Sequence, residues 1–298
     1  MNHRLDKSQV HHEWNNALPP RLDIAPGDTV SFETRDASDQ YYSPSSTHDD
    51  VIKRGPFRGH PLTGPVRVRG ARPGDVLVVE ILEVKPGAPF GWTAIRPGRG
   101  LLPEADFPKP YLQIWDVSDG RFARKDHRIA VPIEAFPGVM GTALPEPGGH
   151  STMPPRKNGG NMDIKQLTAG TTLELPVWVD GALFSVGDGH AAQGDGEVCV
   201  TAVEMNAEVT LRFDLKAGGR LPEPTSTSAP TMLRTMRCRN ASASKSKRRT
   251  SPRGAMSRTA RFLTGDFAWH IAARNDEKSW RPSSRAAASR IAATSSGA

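Results

Sequence analysis

The sequence predicts a mainly β protein, sandwich- or barrel-like and α+β overall, with few helices. Three observations predict it. Short apolar or alternating runs recur along the first two thirds of the chain, with little helical periodicity. With 26 prolines and 28 glycines, breakers fall between those runs too often for long helices to form. Two of the runs follow the same tripeptide, Pro-Gly-Asp. In such a turn Pro presets φ, Gly permits positive φ, and Asp bonds its own backbone.

Taken in order, Pro26-Gly27-Asp28 opens TVSFET, where Val30 and Phe32 alternate with polar residues. Pro73-Gly74-Asp75 opens VLVVEILEV. Further strands are expected at RIAVPI (128–133), TTLELPVWV (171–179), EVCVTAVEM (197–205) and EVTLRFDL (208–215). Only Asn206-Ala207 separates the last two, which predicts a hairpin. Segments 34–64, 86–127 and 137–168 carry little regular pattern and are expected as long loops, which are often functional.

The chain divides by charge. Residues 1–218 hold 23 basic and 28 acidic side chains, whereas 219–298 hold 16 and 4. The net charge of +7 therefore belongs to the last part, and the body is not expected to bind nucleic acid. This gives three expected regions: a β-rich part over 1–130, a β-rich part carrying the motifs over 131–218, and a basic low-complexity tail over 219–298. The tail is expected to be disordered or translated out of frame. With two cysteines no disulfide framework is expected. The start of the chain lacks an apolar signal region, and the longest apolar run, near 76–82, is too short to span a membrane. A cytoplasmic protein without membrane contact is the expectation.

The chemistry concentrates in 181–198, GALFSVGDGHAAQGDGEV. Asp188, His190, Gln193, Asp195 and Glu197 stand among glycines between two apolar runs. Carboxylates and imidazole hold divalent metals and move protons near neutral pH. A loop site held by a flanking sheet is the expectation. A second polar stretch, 150–163, supplies Arg156, Asn158, Asn161 and Asp163. Arg156 offers a planar fork to a carbonyl or carboxylate oxygen, and Asn161 can donate to and accept from a primary amide.

Four blocks together resemble the acetamidase/formamidase family: 11–39, 64–84, 140–163 and 181–204. The resemblance spans roughly 8–217. It rests above all on PPRKNGGNMD followed, about thirty residues later, by GDGHAAQGDGEV. It implies hydrolysis of short aliphatic amides to ammonia and a carboxylic acid, a β-rich fold and a homo-oligomer. The resemblance implies that the family pattern continues past 217 with a helix-containing segment, in whose place this sequence reads as the basic tail; an inactive, frame-shifted member is therefore one alternative.

The implied chemistry is metal-assisted. Asp188, His190 and Glu197 are the expected ligands of a divalent ion, zinc or, in an oxygen-rich version, calcium. Asp163 is a further ligand or base. Asn161, Gln193 and Arg156 are expected to hold the small amide substrate. Cys199 in EVCVTAVEM is expected to pack in a strand rather than act as a nucleophile. His11 and His12 point to opposite faces of an extended segment, so at most one reaches a shared site. His60 has no evident partner, and His150 is a lesser candidate. A non-enzymatic metal- or ligand-binding β protein is the other alternative, although the paired histidines of cupin-type sites are missing.

Overall fold

Two Pro-Gly-Asp turns launch strands, as the sequence predicts. Gly27 and Gly74 have φ of 90° and 95°. In each turn the Asp carboxylate accepts the N–H three residues back: Ala25 N to Asp28 Oδ2 and Arg72 N to Asp75 Oδ2, both 2.9 Å. The computed structural model describes residues 1–227. The expectations for the rest of the tail lie outside the described residues.

The strands are β1 (Asn2–Leu5), β2 (Glu13–Trp14), β3 (Leu22–Ile24), β4 (Thr29–Thr34), β5 (Leu62–Val68) and β6 (Val76–Ile95). They continue with β7 (Tyr111–Asp116), β8 (Phe122–Arg124), β9 (Ala130–Pro132), β10 (Phe136–Gly141) and β11 (His150–Ser151). The last are β12 (Gly159–Asn161), β13 (Thr172–Pro176), β14 (Phe184–Ala192), β15 (Val203–Lys216) and β16 (Thr225–Thr227). One short helix, α1 (Asp50–Lys53), is present among the described residues. The mainly β expectation holds.

Three long strands form a branching spine. β15 pairs with β6 along one edge, and with β14 and then β4 along the other. β6 turns its second edge to β13 at its start and to β7 at its end. β14 pairs with β10 on one side, and with β5 and then β15 on the other. Fourteen strands thus share one sheet; β2 and β11 pair separately. The alternation in β4 buries Val30, Phe32 and Thr34. Phe32, Phe184 and Phe213, from β4, β14 and β15, pack edge to face with ring centres 5.0–6.2 Å apart. This cluster anchors a core of fully buried aliphatic residues.

Several expectations change. There is no hairpin at Asn206-Ala207. β15 runs straight through it, because Ala207 has a partner on both sides, Thr34 in β4 and Pro86 in β6. The pairing with β6 shifts register there, and Asn206 Oδ1 accepts the Asp36 N–H instead of closing a turn. The same irregularity admits Pro86 inside β6, which therefore continues to Ile95 through a segment expected to be loop.

The strand expected at 197–205 begins only at Val203. Before it, Val200 has a φ of 70° and donates its N–H to Glu197 O, making a turn. Cys199 accordingly lies half-buried in a loop, with Sγ 3.4 Å from Thr201 Oγ1. Finally, the expected loop within 181–198 is in large part the strand β14, all nine residues of which are buried. Of the segments expected to be irregular, 137–168 contributes most of β10 and all of β12.

Candidate active site

β14 carries Asp188 and His190 between two partners. In register, His190 faces Phe136 of β10 on one side and Glu204 of β15 on the other. The Phe136 ring meets the imidazole edge-on, with centres 5.0 Å apart. Cross-strand neighbours lie within side-chain contact, so the register alone brings acid and imidazole together. Asp163 arrives from the turn after β12, where the Met162 and Asp163 N–H groups both donate to Gly138 O. Glu197 comes from the loop after β14. Asp163 and Asp188 have φ of 46° and 58°. Left-handed backbone is uncommon for residues with a Cβ and tends to occur at functional sites.

His190 Nε2 is the hub. It lies 3.3 Å from Glu204 Oε2, 3.4 Å from Asp188 Oδ2 and 3.8 Å from Glu197 Oε1. His60 Nε2 stands 3.7 Å from Asp188 Oδ2. One ligand-type atom from each of Asp163, Asp188 and His190 lies within 4.8 Å of the others, and so does one from each of His190, Glu197 and Glu204. Gly138 floors the site. A Cβ there would fall 2.7 Å from Asp188 Oδ2, 2.8 Å from Asp163 Oδ1 and 3.0 Å from His190 Cε1.

Five buried atoms here have no hydrogen-bond partner: Asp163 Oδ1, Asp188 Oδ1, His190 Nε2, Glu197 Oε1 and Glu204 Oε2. Leaving such atoms unpaired in a dry interior is costly, so the cluster suits a group that satisfies them. Carboxylate oxygens and an imidazole nitrogen converging on one point fit a divalent cation.

The electrostatics express the same crowding. Burial pushes the Asp163 carboxyl up to about 8 and Glu204 up to about 7. Burial and the neighbouring Asp163 carboxyl raise Glu197 well above the carboxylate range. Burial works in the same sense on Asp188, but the charges of His190 and His60 outweigh it and hold that carboxyl low. Burial opposes charge on His190, yet Glu204 and Asp188 raise it well above 6.5. Burial lowers His60.

The structure therefore brings together Asp163, Asp188, His190 and Glu197. Gln193 joins them, bonding His190 Nδ1 through Oε1 and Asp163 O through Nε2. Asn161 sits on β12, donating Nδ2–H to Met153 O with its Oδ1 buried and unpaired. Arg156 bridges Gly159 through its backbone, with Nε buried and unpaired. Neither is bonded to the acids. Asp195 turns outward to Lys165. His12 bonds Asp39, His150 bonds Glu146 O, and His11 bonds Ser185. Sequence reasoning missed Glu204 and His60. A lone acid inside the apolar run Val203-Glu204-Met205 was a signal for the first; His60 offered none.

The model of the Acetamidase/Formamidase family matches residues 2–147 and 146–240. This chain belongs to that family.

Among its family relatives, the acetamidase of Mycolicibacterium smegmatis is 29% identical over 272 residues, covering 70% of this chain and 66% of its own length. The formamidase of Methylophilus methylotrophus is 30% identical over 264 residues, covering 71% and 65%. The crystal structure of an acetamidase from Bacillus halodurans superposes with a TM-score of 0.69 at 34% identity, over 76% of this chain and 74% of that one. The chain spans about two thirds of the length of the curated family relatives it matches. Among the described residues no helix is long and apolar enough to cross a membrane.

Proposed function

We propose that this chain hydrolyses short linear amides, of the kind its relatives' names indicate, to ammonia and a carboxylate. The set of unpaired acid and imidazole atoms around Gly138 carries the reading, in a chain whose relatives are acetamidases and formamidases. An amide is a poor electrophile with a poor leaving group. Its hydrolysis needs an activated nucleophile, a stabilised oxyanion and an acid for the departing nitrogen.

Enclosure divides the roles. The side chains of His190, Glu204 and Asp188 are only 1%, 3% and 4% exposed, so these three would hold a divalent cation. When bound, such a cation supplies Lewis acidity toward a carbonyl and makes water more acidic. An imidazole common to both ligand groups favours zinc over calcium, which takes oxygen ligands. His190 Nε2 has a single lone pair, so the reading is one ion per chain. Glu197, at 13% exposed, is more open to substrate than these three. It would hand a proton to the departing nitrogen. Asp163 lines the same pocket as a further ligand or base. In this reading Asn161 Oδ1 would accept an N–H of the substrate amide and the Arg156 guanidinium would donate to its carbonyl oxygen. Assembly into a homo-oligomer belongs to the same proposal and is measured by light scattering.

The test is ammonia release from formamide and acetamide by the full chain supplied with zinc. Turnover that falls sharply in Glu197→Gln supports the reading. No ammonia from either substrate overturns it.

A further inference from the structure

Gln193 closes a chain of donors and acceptors that begins at a group of fixed polarity. The main-chain oxygen of Asp163 can only accept. Gln193 Nε2 lies 2.9 Å from it, so the amide nitrogen must face that way. The amide oxygen is then the atom 3.1 Å from His190 Nδ1. An amide oxygen also only accepts, so Nδ1 carries the hydrogen. In neutral His190 the lone pair therefore falls on Nε2. That nitrogen is the one facing Asp188, Glu197 and Glu204, and His190 belongs to both ligand groups.

We infer that Gln193 is a positioning residue that fixes His190 as the Nδ1–H tautomer and directs its Nε2 lone pair at the carboxyl cluster, as a divalent-cation ligand requires. The inference rests on the cation reading of the site given above. Gln193 follows β14 directly and reaches across to the turn that carries Asp163. One side chain thus sets the tautomer of one ligand and ties it to the main chain of another. Phe136, edge-on to the ring, limits rotation about the remaining direction. Both ends of the Gln193 amide are engaged within the protein, which leaves substrate recognition to Asn161 and Arg156. Partners that orient a ligating histidine typically contribute about 10–100-fold to metal affinity.

The experiment compares the full chain with Gln193→Met, which removes both hydrogen bonds at similar length, and Gln193→Glu, which keeps an acceptor for Nδ1–H. Zinc affinity is measured by competition with a chromophoric chelator. Long-range proton–nitrogen spectra of histidine-labelled protein read the tautomer, with His190 assigned through His190→Gln. The expected result is a protonated Nδ1 in zinc-loaded protein, a loss of about 10–100-fold in zinc affinity for Gln193→Met, and recovery of most of that loss in Gln193→Glu. Unchanged affinity in Gln193→Met overturns the inference. So does a rise in KM for the amide with zinc binding intact, which would make Gln193 a substrate contact. If the unsubstituted chain binds no zinc, the cation reading fails separately. The zinc-free spectrum, recorded where the ring is neutral, then decides: Nδ1–H keeps the positioning role, and Nε2–H overturns it.

Discussion

His190 and Glu204 are register partners across β14 and β15, with Nε2 and Oε2 3.3 Å apart and both side chains enclosed. Neither atom has a hydrogen-bond partner. Replacing Glu204 by Gln keeps the shape and removes the charge. We expect zinc affinity to fall about 10–100-fold with the fold intact, read by chelator competition and circular dichroism. Unaltered zinc affinity would exclude Glu204 from the ligand set.

Gly138 is required for space rather than for backbone freedom, since its φ is not among the positive ones. In Gly138→Ala the added methyl meets Asp188, Asp163 and His190 at 2.7–3.0 Å. Overpacking of this kind costs about 1–3 kcal/mol, so the variant should fold with a lowered Tm. Ammonia release should fall far more than stability does, because the methyl occupies the point where the site atoms converge. Equal activity in the two proteins would contradict this assignment.

Removal of the cation should be visible as stability. A ligand present at 100 times its Kd stabilises the folded state by about 2.7 kcal/mol. Dialysis against a chelator should lower Tm and abolish ammonia release, and one equivalent of zinc per chain should restore both. Elemental analysis of the purified protein gives the stoichiometry. A Tm indifferent to zinc would count against the site.

His11 predicts an acid-sensitive step away from the carboxyl cluster. Its Nδ1 faces Glu13 O and its Nε2 faces Ser185 Oγ, each at 2.8 Å. Burial pushes the ring down to about 4 from its ordinary 6.5. Between those values the unfolded chain carries the proton and the folded chain does not. The contribution is therefore fully present above about pH 6.5 and is lost as pH falls toward about 4. Thermal melts at about pH 7.5 and pH 5 should show a smaller drop in Tm for His11→Gln than for the unsubstituted chain. Identical drops would show that His11 does not control this range.

Much of the strand content was legible because it is written locally. The Pro-Gly-Asp turns, the alternation of Val30 and Phe32 and the run at 76–82 need no partner to be recognised. Asn206-Ala207 was misread as a turn because a bulge between paired strands looks like a break in a single strand. Only partners on both edges, Thr34 and Pro86, keep β15 extended. For the same reason Gly187 and Gly189 suggested a loop. Each in fact admits a close neighbour: a Cβ would meet Pro61 O at 2.6 Å or the Ala207 methyl at 2.5 Å.

The sequence by itself determined a β-rich chain and the residue types of the candidate site, since turn chemistry and ligand chemistry are properties of short segments. Tertiary structure alone decided which acids surround His190. Asp163, Glu197, Glu204 and His60 come from four separate segments, and the strand pairing that joins them is a matter of register between distant parts of the chain. Register is set by the buried faces of whole strands, so no local pattern could have placed Glu204 opposite His190.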